Sequence, residues 1–218
     1  FNDCPYEAIS MVARSDGLPF ERQPVVNPST CTGCGICAGA CPTSMPFRSK
    51  SELVPGIDLP DSSMADLRTA IHDASKELSG SNRIIVFGCD PCMPQLSVSS
   101  ENVATVSLRC IGQLPPAFID YTLSRKLADG VVLTGCEEEN CYSRLGVKWM
   151  NGRLARERDP HLRARVSKDR IRVLWTGRLG GGALRRMLRE FSEALEKTES
   201  EKSAHIDEAA KPRERIDV

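Results

Sequence analysis

Between residues 83 and 195 the chain alternates short apolar runs with longer segments whose apolar residues recur every three or four positions. Ile84-Ile85-Val86-Phe87, Val103 to Leu108, Val131-Val132-Leu133 and Ile171 to Trp175 read as four strands. The segment from about Pro115 to Ala128 reads as a helix with proline in its first turn. After the fourth run, Gly180-Gly181-Gly182 leads into an amphipathic helix through Leu184, Met187, Leu188, Phe191 and Leu195. Short strands separated by helices predict an α/β domain with a four-stranded parallel sheet. Within 57–82, Met64, Leu67, Ile71, Ala74 and Leu78 make one apolar helical face, with Asp61-Ser62-Ser63 as cap candidates and Ser79-Gly80-Ser81 as its stop. This is a linker helix that docks on the next domain or opens it. Residues 1–56 show no such period and are rich in Cys, Pro and small residues, so a metal cluster rather than an apolar core must organise them. Residues 196–218 are Glu/Lys/Ser/Ala-rich, with Ile206, Ile216 and Val218 as their sizeable apolar side chains, and are expected to form a mobile charged tail.

Charge narrows the possible functions. The 218 residues carry 29 basic and 29 acidic side chains, a balance unlike the basic excess of a nucleic-acid binder. No apolar run approaches the roughly 18 residues of a membrane span. Ten cysteines in a long, charge-rich chain, several of them in tight CxxC groups, point to metal ligation in a reducing compartment rather than to a secreted disulfide scaffold. The expected location is the cytoplasm, or the cytoplasmic face of a membrane.

The first group is Cys31-x2-Cys34-x2-Cys37-x3-Cys41-Pro42, the spacing of a bacterial [4Fe–4S] run. Cysteines two residues apart let the backbone wrap a cubane, and Gly33, Gly35 and Gly39 let it turn sharply and bring N–H groups to the sulfurs. Zinc is the blander reading, but zinc ribbons use separated CxxC pairs. The segment resembles a two-cluster bacterial ferredoxin, in which the fourth cysteine of each run ligates the other cluster. An α+β ferredoxin-like domain over 1–56 is the implied fold. Cys4-Pro5 reads as the tail of an earlier run. Cys4, Cys31, Cys34 and Cys37 would complete one [4Fe–4S] cluster, and Cys41 would serve a second whose other ligands are absent. The chain is therefore expected to be an N-terminally truncated fragment, with any membrane association lying in the missing part.

Cys89, Cys92, Cys110, Cys136 and Cys141 form the second group. Cys89, Cys110 and Cys136 follow predicted strands, and the carboxyl ends of parallel strands form one functional edge. Cys92 and Cys141 lie in the loops just after. Three readings compete: an iron–sulfur site, a structural zinc site, and a thiol–disulfide oxidoreductase using Cys89-Asp-Pro-Cys92. The last wants a helix starting at once, and Pro94 with Ser97-Val-Ser-Ser does not support a long one.

The stretches Phe87-Gly-Cys89-Asp-Pro-Cys92, Ser107-Leu-Arg-Cys110-Ile-Gly and Leu133-Thr-Gly-Cys136-Glu-Glu-Glu-Asn-Cys141-Tyr resemble the delta subunit of methyl-viologen-reducing hydrogenase over about residues 83–195. So does Arg144 to Arg158. The resemblance implies a [2Fe–2S] cluster held by four of the five cysteines, and electron delivery to a hydrogenase or heterodisulfide-reductase-type flavoprotein. A quinone-linked partner is the other acceptor class considered. The expected role is electron transfer within an oxidoreductase complex, with no catalytic residue of the chain's own. Cys89 is favoured over Cys92 because it sits at its strand end.

The remaining features take ordinary readings. Gly180 to Gly182 lacks a phosphate-loop pattern and reads as a strand-to-helix turn. Trp149 and Trp175 are expected to pack, and His72, His161 and His205 to lie at the surface. Arg153, Arg156, Arg158, Arg163 and Arg165 read as a solvated face, with partner docking as the alternative.

Overall fold

A computed structural model describes residues 2–17, 20–49, 53, 55–96 and 98–209. Two antiparallel strands, β1 (Ile9–Ala13) and β2 (Arg22–Val26), and a short helix α1 (Ile36–Ala40) make up the N-terminal part. A longer helix follows, α2 (Met64–Glu77). Ser63 caps it: its hydroxyl accepts from the Asp66 amide while the Asp66 carboxylate accepts from the Ser63 amide. Its predicted face, Met64, Leu67, Ile71, Ala74 and Leu78, is buried in the main core with the sheet residues. The helix thus packs against the sheet of the α/β domain.

Four parallel strands form that domain's sheet: β3 (Ile84–Cys89), β4 (Val103–Leu108), β5 (Gly130–Gly135) and β6 (Ile171–Trp175), in the order β4-β3-β5-β6. The two central strands are buried at every position, which is why they read as continuous apolar runs. Helices α3 (Met93–Leu96), α4 (Pro116–Ser124), α5 (Gly146–Ala155) and α6 (Gly181–Ala209) complete the element order. With β4 and β5 on opposite sides of β3, the chain reverses its winding between β3 and β5. Such a switch point opens a crevice beyond the carboxyl ends of the strands.

The helix that follows Cys92, α3, has four residues, short as Pro94 and the serines after it imply. Some expectations change. Residues 196–209 continue α6 rather than forming an irregular tail; their Glu, Lys and Ala content extends a helix already nucleated by its packed face. Residues 210–218, with Ile216 and Val218, lie outside the described residues. His72 is half-buried, its Nε2 2.8 Å from the Tyr121 hydroxyl. The basic cluster is not one solvated face: Arg163 and Arg165 close on buried Asp120, Arg158 on Asp3, and Arg153 is wholly buried. Among the described residues no helix is long and apolar enough to cross a membrane.

Candidate metal centres

Cys4, Cys31, Cys34 and Cys37 line one cavity of about 210 Å³, walled by Ile9, Val26, Ile57 and Leu59. Gly33 and Gly35 adopt left-handed φ values of 67° and 74°, which lets the loop fold back and start α1. Backbone amides face the sulfurs: Ala8 N–H lies 3.4 Å from Cys4 Sγ, and the amides of Ile36 and Ala38 donate to Cys34 and Cys37. Burial nevertheless pushes the Cys37 thiol up to about 11, reinforced by the neighbouring Cys34, and raises Cys34 as well. Four sulfurs around a largely apolar volume with N–H donors fit a [4Fe–4S] cluster.

Cys41 points elsewhere. It lines a neighbouring cavity of about 240 Å³ with Asp3, Met11, Pro24 and Gly56, which it shares with Cys37 but not with Cys4, Cys31 or Cys34. Although burial raises its thiol, hydrogen bonds from the Thr43 hydroxyl and the amides of Gly56, Thr43 and Ile57 outweigh it and hold Cys41 below the usual range. A stabilised thiolate suits a ligand.

The second group gathers at the switch point. Cys89 ends β3, Cys136 follows β5, and Cys110 lies just past β4. Cys89 Sγ is the hub. It accepts hydrogen bonds from the thiols of Cys110 and Cys136 and from the amides of Cys136 and Ile111, the last at 3.2 Å. These donors, foremost Cys110, hold Cys89 low. Cys110 also meets Cys141, and its thiol is pushed up because it keeps the shared protons. Cys92 stands at the edge, its Sγ 3.8 Å from Cys136, and burial raises its thiol. Beside it opens a surface groove of about 450 Å³ lined by Cys136, Glu137, Arg178 and the highly exposed Tyr142 and Leu179. Among the described residues no three of these groups converge on one point as the cage of a single ion. The thiols run instead in a contact series from Cys141 through Cys110, Cys89 and Cys136 to Cys92.

The two groups are close neighbours. α1, which carries Cys37, lies on the 3-10 turn Ile111–Gln113 that follows Cys110. A Cβ on Gly39 would stand 2.2 Å from the Gly112 carbonyl oxygen, so only glycine allows this backbone contact. The Gly112 amide in turn lies 3.4 Å from Cys110 Sγ. The N-terminal part is pinned there by Trp149 Nε1 to the Asp3 carbonyl (3.2 Å), Arg144 to the Pro5 carbonyl (3.1 Å) and the Arg158–Asp3 ion pair (2.6 Å). Tyr6, under the Arg144 guanidinium at 4.7 Å, sits within electrostatic reach of both Cys34 and Cys110. Tyr6, Gly112 and Gly146 carry no sequence signal of their own; only the fold brings them to the sulfurs.

Two family models match the chain. One described as "Methyl-viologen-reducing hydrogenase, delta subunit" covers residues 82–198, and one described as "4Fe-4S dicluster domain" covers residues 1–45. No curated protein matches it.

Proposed function

Because this chain belongs to the family of the methyl-viologen-reducing hydrogenase delta subunit and carries a 4Fe–4S dicluster domain in front of it, we propose that it relays electrons between two iron–sulfur sites and a redox partner protein. Cys4, Cys31, Cys34 and Cys37 hold a [4Fe–4S] cluster. Cys89, Cys110, Cys136 and Cys141 hold a [2Fe–2S] cluster, with Cys92 as its flanking thiol. Cys41 is left as the fourth ligand of a second [4Fe–4S] cluster whose other ligands are not among these 218 residues, so this chain alone completes one [4Fe–4S] cluster. Bound clusters supply one-electron storage at each site.

The observation that carries this reading is the Gly39–Gly112 seam. It leaves one layer of backbone between the helix of Cys37 and the turn of Cys110. The chain's residues do the rest of the work. Ile9, Val26, Ile57 and Leu59 give the first site apolar walls, with Cys31 at its exposed rim, and amides aimed at Cys4, Cys34, Cys37 and Cys89 stabilise negative sulfur. Tyr142 and Leu179 rim the groove at Cys92 and Cys136, where a partner protein reaches the second site. A flavoprotein of the hydrogenase or heterodisulfide-reductase type fits the family, with a quinone-linked protein as the alternative.

Freeze-quench magnetic resonance tests the relay. The anaerobically reconstituted chain is given less reductant than one electron per molecule, and spectra are taken over time. The expected result is one electron distributed between both signals faster than the chains collide. Signals that equilibrate only in proportion to protein concentration would overturn the relay. The contacts also bear on the thiol–disulfide alternative, since Cys89 is engaged with Cys110 and Cys136 while Cys92 meets Cys136.

A further inference from the structure

Arg153 is the largest fully buried side chain of the described residues. It projects from α5, with its Nη1 donating to the Gly112 carbonyl at 2.8 Å. Its Nε and Nη2 have no hydrogen-bond partner among the described residues. A guanidinium stays protonated even where desolvation works against it, and a buried charge without a counter-charge is strongly disfavoured. Of the groups that act on it electrostatically, Asp3 comes first, but that carboxylate is already engaged by Arg158 through contacts of 3.1 and 2.6 Å, and Arg158 itself repels Arg153. The remaining group is Cys110, which favours the cation once it is a thiolate. Gly112 joins the two: its carbonyl takes the Arg153 hydrogen bond and its amide faces Cys110 Sγ. Burial above all, with the neighbouring Arg158, pulls Arg153 down to about 10, still well above neutral pH, so the positive charge persists.

We propose that Arg153 is the fixed positive charge that sets the reduction potential of the cluster at Cys110. The inference rests on the [2Fe–2S] reading of that site. Four thiolates with two irons and two sulfides make a net anion that gains one further negative charge on reduction. A buried cation beside one thiolate therefore favours the reduced state over the oxidised one. The same charge is balanced by the loaded site, which explains why this arginine lacks a carboxylate of its own. Its hydrogen bond to Gly112 makes it a positioning residue for the Cys110 turn as well, so the test must separate charge from scaffold.

The experiment is a redox titration, followed by magnetic resonance, of the full reconstituted chain and of R153K, R153Q and R153M. Removing the charge is expected to lower the reduced-to-oxidised ratio of the Cys110-site cluster about tenfold at a given applied potential, a shift of about 59 mV for a one-electron couple. R153K should stay within about threefold of the parent, and the [4Fe–4S] signal should move less than that of the Cys110 site. If R153M does not retain its fold, R153Q decides, because it keeps a donor for the Gly112 carbonyl without the charge. Neutral variants that retain iron at an unmoved potential would overturn the inference. So would loss of fold in both R153M and R153Q, which would assign the residue a purely structural role. A parent chain with no iron at Cys110 would instead overturn the underlying reading of the site.

Discussion

Gly146→Ala separates a site built for a cluster from a merely crowded core. Gly146 opens α5, and a Cβ there would lie 2.1 Å from Cys110 Sγ, 3.6 Å from Cys141 Sγ and 3.7 Å from the Gly112 amide. Carbon packs at roughly 3.5–4.0 Å, so the sulfur of Cys110 must move. In the metal-free chain it can, by turning Cys110 about its Cα–Cβ bond into another staggered well, at a cost on the order of 1 kcal/mol. Alanine's helix preference over glycine, up to about 1 kcal/mol in a helix interior and less at its first residue, offsets part of that. The metal-free variant should therefore unfold in urea within about 1 kcal/mol of the parent. With iron bound, the sulfur is held by the metal and cannot turn. The overpacking then falls on the cluster, and at about 1–3 kcal/mol the loading affinity should drop roughly tenfold or more. Iron and sulfide counts after anaerobic reconstitution read the second quantity, and urea melts of the metal-free chain read the first. Full iron with an unchanged spectrum would refute the assignment of Cys110 as a ligand. A metal-free variant destabilised by more than about 3 kcal/mol would show that the site is simply packed.

Three further outcomes are expected. Cys4→Ser should remove the four-iron signal while Cys41→Ser leaves it largely intact, because Cys4 lines the cavity shared by Cys31, Cys34 and Cys37 and Cys41 does not; iron content and reduced-state magnetic resonance decide. Among serine variants of the second group, Cys89, Cys110, Cys136 and Cys141 should lose the two-iron cluster and Cys92 should keep most of it, since Cys92 is the terminal member of the contact series; iron per chain checks this. Because burial holds Cys37 up to about 11, its metal-free thiol is protonated at neutral pH and loading must expel that proton. Apparent iron affinity at the first site should thus weaken about tenfold for each unit the pH falls below 11, per proton released, and a pH-independent loading curve would contradict the burial argument.

The parallel sheet was legible because its strands are buried on both faces, so that Ile84 to Phe87 and Val131 to Leu133 form unbroken apolar runs. The cysteines at the strand ends were legible for the same reason: once the strands are placed, Cys89 and Cys136 fall at one edge. α5 was not, because its buried face contains Gly146 and Arg153 beside Val147 and Met150, and neither residue type signals burial. β1 and β2 were missed too; of β2's residues none is buried, so it has no apolar alternation to detect. Arg153 was read as solvated from charge alone, since the carbonyl it serves lies 41 residues away in the chain. The seam was the least visible feature. Gly39 does not turn the chain with Gly33 and Gly35 as its position beside the cysteines suggests; it lies inside α1, and the packing of that helix on the Ile111–Gln113 turn gives Gly39 and Gly112 their role.

The central claim is that two thiol groups of this chain hold two different iron–sulfur clusters within one relay. Mössbauer spectroscopy of the anaerobically purified, iron-57-enriched chain tests it most directly. The account predicts two resolved components in the proportions of one [4Fe–4S] and one [2Fe–2S] cluster, the second vanishing in Cys110→Ser while the first persists. A single cluster type, zinc at the second site, or a colourless chain with Cys89 and Cys92 joined as a disulfide would contradict it.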